Sequence, residues 1–177
     1  MSENLRMLIG VSQLTPEMMD SLRDAAESMA VDEWVRRTGK GRHECIPENL
    51  RPYTHLNLGS VDKWLTTALV ADTEEDYINH KLDDDEVVVI YGVANESPSP
   101  SVAKVILKKA DTIIFAEWDV TPLYCDLIPI GVSDKPALWS CSDTVKVRIL
   151  PRTAVAGGEV LVLLGVMAAP LGKFITK

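Results

Sequence analysis

Between Thr15 and Gly39 apolar residues recur at intervals of three and four: Met18, Met19, Leu22, Ala25, Ala26, Met29, Ala30 and Trp34 share one helical face. Thr15 suits an N-cap, Pro16 the first helical position and Gly39 a C-terminal cap, so the spacing predicts a helix over residues 16–38. Asp32 precedes Arg36, and Glu33 precedes Arg37, in the favourable order for ion pairs one turn apart. A stripe rich in Met and Ala suits docking on the chain's own domain, and equally an adaptable contact with another surface.

After Val61 the period shortens to two. Val145, Val147 and Ile149 alternate with Thr144, Lys146 and Arg148, which predicts a strand with one buried and one wet face. Strands are expected over residues 64–71, 86–94, 102–107, 112–118, 137–140, 144–150 and 159–168, with a shorter piece near 123–130. The turn signals DTEED, LDDD, NESPSPS, KKAD, GVSDKP, CSD and RTAVAGG separate them, and no helical period intervenes. The fold class is therefore mainly β: an antiparallel β-sandwich (jelly-roll-like) or barrel, with an N-terminal amphipathic helix and an extended connector. The connector is the aperiodic stretch 39–62, GKGRHECIPENLRPYTHLNLGSVD, long for a loop inside a compact domain. The expected organisation is a helical arm and connector over 1–60 and a β-sandwich domain over 61–177. The runs VVVIYGV and VLVLLGV lack alternation, so both strands are expected to be covered on two faces, within the sandwich or at a subunit contact. Gly92 and Gly165 sit at similar places in those runs and predict a bulge or a close backbone approach.

Composition narrows the function classes. With 46% hydrophobic and 25% charged residues in 177, the chain is globular in type. A net charge of -8 argues against nucleic acid as a partner, and Arg36, Arg37, Lys40 and Arg42 form the one obvious basic cluster. The longest apolar run, residues 160–170, is broken by Gly165 and is too short for a membrane span. The start, MSENLRMLIGVSQL, carries Glu3 early and no signal-peptide pattern, so the chain is expected to be made in the cytoplasm. Cys45, Cys125 and Cys141 match neither a disulfide framework nor a zinc site and are expected as buried free thiols.

Candidate chemistry is thin, and no catalytic residue, cofactor or metal is assigned. The available bases are His43, His55 and His80, all expected in loops, and no nucleophile motif surrounds a serine or cysteine. His43, Glu44 and Cys45 are adjacent, so on an extended chain they point to opposite sides. Asp72, Glu74, Glu75, Asp76, Asp83, Asp84, Asp85 and Glu86 put eight carboxylates in fifteen positions, which suits calcium or, more simply, solvated turns. GKGRHE has the glycines of a phosphate cradle but follows a helix instead of preceding one. Glu117 and Asp119 flank Trp118 in a strand pattern that turns both carboxylates to solvent. Exposed Trp118 or Trp139 would support an alternative reading, a carbohydrate- or receptor-binding β-sandwich.

The residues LYCDLIPIGVSDKPALWSCSDTVKVRI (123–149) and GGEVLVLLGVMAAPLG (157–172), with the N-terminal helix and long connector, resemble in layout the capsid decoration or cement proteins of tailed-phage virions. The resemblance implies a non-enzymatic virion component that oligomerises, a trimer by expectation, and binds a capsid or other structural protein without nucleic acid or membrane. The partner-binding residues expected on this reading are Met18, Met19, Leu22, Met29 and Trp34 on the helix, with Arg36, Arg37, Lys40 and Arg42 docking on an acidic lattice site. The AAPLGKFI tail (168–175) adds apolar surface for such contacts.

Overall fold

The computed structural model describes Leu5, Arg6 and residues 8–175; Glu3, noted above, lies outside them. Helix α1 spans Pro16–Thr38, as its signals predict. The Thr15 hydroxyl accepts from Met18 N at 3.3 Å, Pro16 opens the helix, and Gly39 closes it in the left-handed region at φ 70°.

Among the described residues ten strands follow one another: β1 (Leu5–Arg6), β2 (Ile9–Gly10), β3 (Cys45–Asn49), β4 (Glu75–Lys81), β5 (Val87–Asn95), β6 (Val102–Lys109), β7 (Ile113–Asp119), β8 (Ile130–Trp139), β9 (Thr144–Pro151) and β10 (Leu161–Pro170). A second short helix, α2, covers Pro52–Leu56. The strands form two sheets ordered β1-β7-β6-β9-β4 and β2-β8-β5-β10-β3. Only β1 pairs in parallel, with β7. From β3 onward every connection except the β6–β7 hairpin passes from one sheet to the other. The resulting orders, 3-10-5-8 and 4-9-6-7, are those of an eight-stranded jelly roll.

Side chains fill the space between the sheets. Val88, Ile90, Val105, Leu107, Val147, Leu163 and Met167 interdigitate there with Trp118 and Trp139. The Trp139 indole donates to Lys108 O at 2.7 Å, tying β8 to β6 across the core. The opposite face of the β5 sheet carries Val87, Val89, Tyr91, Val166 and Ala168, and α1 lies on it through Ala26, Ala30, Val31 and Trp34. Small Ala26 and Ala30 let the helix approach closely, while the Trp34 indole reaches past the strand ends to donate to Asp85 O at 2.8 Å. Every residue of β5 is consequently buried. The missing alternation in VVVIYGV follows from this, and the cover is the chain's own helix. Gly92 and Gly165 both stand at register shifts, where an added Cβ would lie 2.7 Å from Gly131 O and 2.5 Å from Val89 O respectively. The close-approach expectation is met at both.

The outer face of the β4 sheet is wet. Lys146 pairs with Asp111 and Asp76, and Arg148 with Glu74 and Asp76, so the polar half of TVKVRI is an ion-paired surface over a buried Val145, Val147 and Ile149.

Several expectations are corrected. The stretch 39–62 is not an extended connector: it supplies edge strand β3, paired with β10, and then α2. Residues 64–71 do not form a strand beyond a single bridge between Leu69 and Val155, because Thr66 is held instead by hydrogen bonds to Glu159. Around 123–130 the chain forms a 3-10 turn over Thr121–Cys125 instead of a strand, following the helix-compatible start at Pro122. GVSDKP is the middle of β8 and not a turn, its irregularity absorbed by the register shift opposite Gly92. Strand β4 was hidden by its charged EDYINHK text, which suits an edge position.

Truncating the side chain that joins helix to sheet should be costly. Trp34→Ala is expected to lose about 3–5 kcal/mol, whereas Met18→Ala on the exposed side of the same helix should stay within about 0.5 kcal/mol; urea unfolding of the two variants checks this.

Candidate functional site

The acidic turn before β5 is the densest cluster of charge. Asp83, Asp85 and Glu86 offer carboxylate oxygens within 4.8 Å of one another. A cation already stands among them: the Lys173 ammonium lies 2.9 Å from Asp83 Oδ2 and 3.0 Å from Glu86 Oε1, and pairs also with Asp85. Burial alone would lower the Lys173 pKa, but the hydrogen bonds it donates to Asp85, Asp83 and Glu86 outweigh it and hold the ammonium well above its usual range. The lysine does the neutralising that a calcium ion would do, and it clips the chain after β10 to the β4–β5 turn.

A second polar cluster lies under α2. His55 is 2% exposed; its Nδ1 accepts from Arg51 N at 2.9 Å, and its ring packs on Phe174 at 4.6 Å between centroids. Nε2 faces Glu48 Oε2 at 3.5 Å, beyond hydrogen-bonding geometry. Burial and the nearby Arg51 charge push the His55 pKa down to about 4 against the opposing pull of Glu48. Asp62 completes the arrangement by accepting from the amides of Tyr53 (3.0 Å) and Thr54 (2.8 Å), capping α2 from beyond its own end. These groups fasten α2 to the sandwich.

Buried Glu159 is likewise a fastener. Its carboxylate accepts from Asn95 Nδ2 at 2.7 Å and Ser101 N at 2.5 Å, joining the ends of β5 and β6 to the start of β10. No motif in the sequence announces it; the buried Glu after GG is legible only once the loops close over it.

The residues expected to bind a partner divide. Trp34 is fully buried in the helix–sheet contact and is removed from any exposed site. Met19 and Leu22 are partly buried against the same cluster, while Met18 is 51% and Met29 37% exposed. The basic cluster is largely spent within the chain. Arg36 pairs with Glu33 at 2.6 Å, Arg37 bonds Ser140 Oγ at 2.8 Å and lies 3.4 Å from Glu33, and Arg42 pairs with Asp32 at 2.5 Å; Lys40 is exposed. Asp32 thus pairs with Arg42 and not, as its spacing predicts, with Arg36. Of the tail, Ala168, Ala169 and Phe174 are buried, leaving Leu171 and Ile175 outside. Beside the first half of α1 runs a groove of about 420 Å³ lined by Ile9, Leu14, Met18 and Leu22, with Glu17 and Asp134 carrying its charge.

Other candidates do not converge. His43 lies in a 3-10 turn, His55 in α2 and His80 on β4, so the loop expectation is corrected for the last two and the three stay apart in the fold. His43 and Glu44 are exposed and Cys45 is buried, so the three adjacent groups do not form one site. Cys141 is buried but Cys125 is exposed, contrary to expectation. Trp118 and Trp139 are both fully buried and offer no platform for a sugar. Glu117 and Asp119 flank buried Trp118 on β7, and Asp119 Oδ1 accepts from Thr121 N at 3.0 Å. Among the described residues no helix is long and apolar enough to cross a membrane. Comparison of the chain with family models, curated proteins and solved structures finds no match.

The His55 environment gives a pH dependence with a definite sign. Neutral in the fold and protonated near 6.5 when unfolded, His55 contributes stability that is whole above pH 6.5 and is lost as pH falls to about 4. Wild type should lose about 3 kcal/mol more than His55→Gln across that interval, measured as urea unfolding free energy against pH.

Proposed function

We propose that this chain is a non-enzymatic structural protein, a virion component of the capsid-decoration kind that binds and stabilises a capsid lattice as an oligomer after synthesis in the cytoplasm. The observation that carries the reading is a jelly roll filled by its own side chains, with apolar surface left uncovered on the outside of α1 at Met18 and Met29. Jelly rolls serve viral capsid domains, lectins and cupins, and the fold by itself does not choose among them. Burial of Trp118 and Trp139 removes the support for a sugar-binding module. The inner faces of the sheets are packed with aliphatic and aromatic side chains, which favours a filled core over a ligand cavity of the cupin type. Edge strands favour binding by side chains over sheet extension: Pro47 interrupts the outer β3 edge, and β4 is charged and bulged.

The test must keep the helix in place, since deleting residues 1–41 would strip the cover from Val87, Val89 and Val166. The chain is co-expressed with the products of its neighbouring genes, purified, and its mass measured by light scattering with and without them. The expected result is co-elution in a multi-subunit particle at fixed stoichiometry. A chain that elutes alone at 19.5 kDa under all conditions contradicts the proposal.

A further inference from the structure

The seam by which α1 lies on the sheet ends in a charge. Ala26, Ala30 and Trp34 are buried there, and the same helical spacing carried back one turn reaches Arg23. Arg23 gives its Nε to Glu27 at 3.1 Å, and its Nη groups bond to no described residue. Tyr91, on the face of β5 that α1 covers, is also polar at its tip. It is 8% exposed, yet its hydroxyl bonds to no described residue. A buried hydroxyl left unpaired is costly, so such a group is best explained by something that binds it.

Arg23 and Tyr91 line one cavity of about 290 Å³, which lies outside the sandwich core beside the half-buried Trp64. The cavity opens where β3 leaves the sheet. Pairing of β3 with β10 covers Val166 to Pro170; at the register shift between Leu164 and Gly165 the chain turns away, Leu50 N making a last bond to Gly165 O at 2.9 Å. Leu50, Leu164 and Trp64 supply apolar walls, and exposed Asn49 adds an amide. In a chain with 26 acidic residues, none of the described residues lining this space is acidic. Burial raises the Tyr91 pKa, and the opposed charges of Arg23 and Glu27 both reach it, so the group is a protonated donor beside the guanidinium.

We infer that this cavity binds a small organic monocarboxylate with a compact apolar body, its carboxylate held by the Arg23 guanidinium and the Tyr91 hydroxyl and its body against Trp64, Leu50 and Leu164. An arginine fork matches a carboxylate with two parallel bonds. A neutral apolar molecule would leave the guanidinium and hydroxyl unpaired, and a bare inorganic anion would leave the apolar walls wet. A sugar, whose hydroxyls donate as well as accept, would meet no carboxylate there. The volume stands at the lower limit for small-molecule sites, which restricts the ligand to a single small ring or branched chain. The site goes beyond the assembly reading and does not depend on it.

The full chain, nitrogen-labelled, is titrated with benzoate as the probe, with benzamide as its neutral counterpart and acetate as the anion without a body. Trp64 is the reporter, because the other three tryptophans are fully buried and the indoles of Trp34 and Trp139 already donate to Asp85 O and Lys108 O. The expected result is a saturable shift of the Trp64 indole resonance with benzoate, and binding of benzamide and of acetate about tenfold weaker or worse. Tyr91→Phe, which keeps the ring packed under α1, and Arg23→Gln should each weaken benzoate about tenfold. No saturable shift up to about 10 mM benzoate, benzamide or acetate binding as well as benzoate, or an affinity unchanged in either variant overturns the inference. The comparison of the three probes needs no substitution and so stands even if a variant fails to fold. Each outcome is compatible with a chain that joins a lattice and with one that does not, so the two proposals fail separately.

Discussion

Burial of β5 on both of its faces is the constraint from which the rest of the molecule follows. A strand that holds only Val, Ile, Tyr, Gly and Ala until its last residue, Asn95, cannot tolerate water on either side. Facing sheet and helix therefore have to be present together, and the chain builds a three-layer stack: wet sheet, apolar sheet, helix. Where backbone must approach backbone in the middle layer, Gly92 and Gly165 remove the Cβ atoms that would collide. Strand β10 shares the arrangement, which is why the two unalternating runs sit side by side in register, Val89 against Val166 and Val87 against Ala168.

Most of the chain's charged chemistry serves this stack. Lys173 neutralises the turn that leads into β5, Glu159 gathers the amides where β5 ends and β6 begins, and Trp34 docks its indole on the same turn that Lys173 clips. Breaking a buried pair by removing one partner costs far more than the pair contributes beyond an apolar replacement, so such fasteners act to hold one arrangement in preference to others. Among the surfaces left free for interaction is the outside of α1, where Met18 and Met29 stand exposed on a helix otherwise anchored by its opposite seam.

Local signals were legible in the sequence to the extent that they were local. Thr15, Pro16 and Gly39 carry their meaning within four residues, and α1 begins and ends where they place it. The alternation of TVKVRI and the strand glycines also read correctly. Two kinds of feature did not. Strand β4 and the middle of β8 are charged or turn-like in text and become strands through pairing with β9 and β5, a tertiary effect that propensity does not contain. Residues 64–71 look like a strand and are not, because the backbone of Glu159, distant in sequence, claims Thr66 by accepting from its amide and donating to its hydroxyl. The candidate site was half legible: a helical stripe of eight apolar residues announces contact but not which of two seams is spent on the core, and the same text holds both Trp34, wholly inside, and Met18, half outside.

Helix α1 is a structural layer packed on the β5 sheet, not a detachable arm. Native-state hydrogen exchange resolved by residue tests this most directly, because elements that unfold together share one opening free energy. The amides of Ala26 to Val35 should exchange with the same free energy as those of β5 and lose protection with them as denaturant is added. A helix that exchanges several kcal/mol more easily, while β5 keeps its protection, would contradict the account.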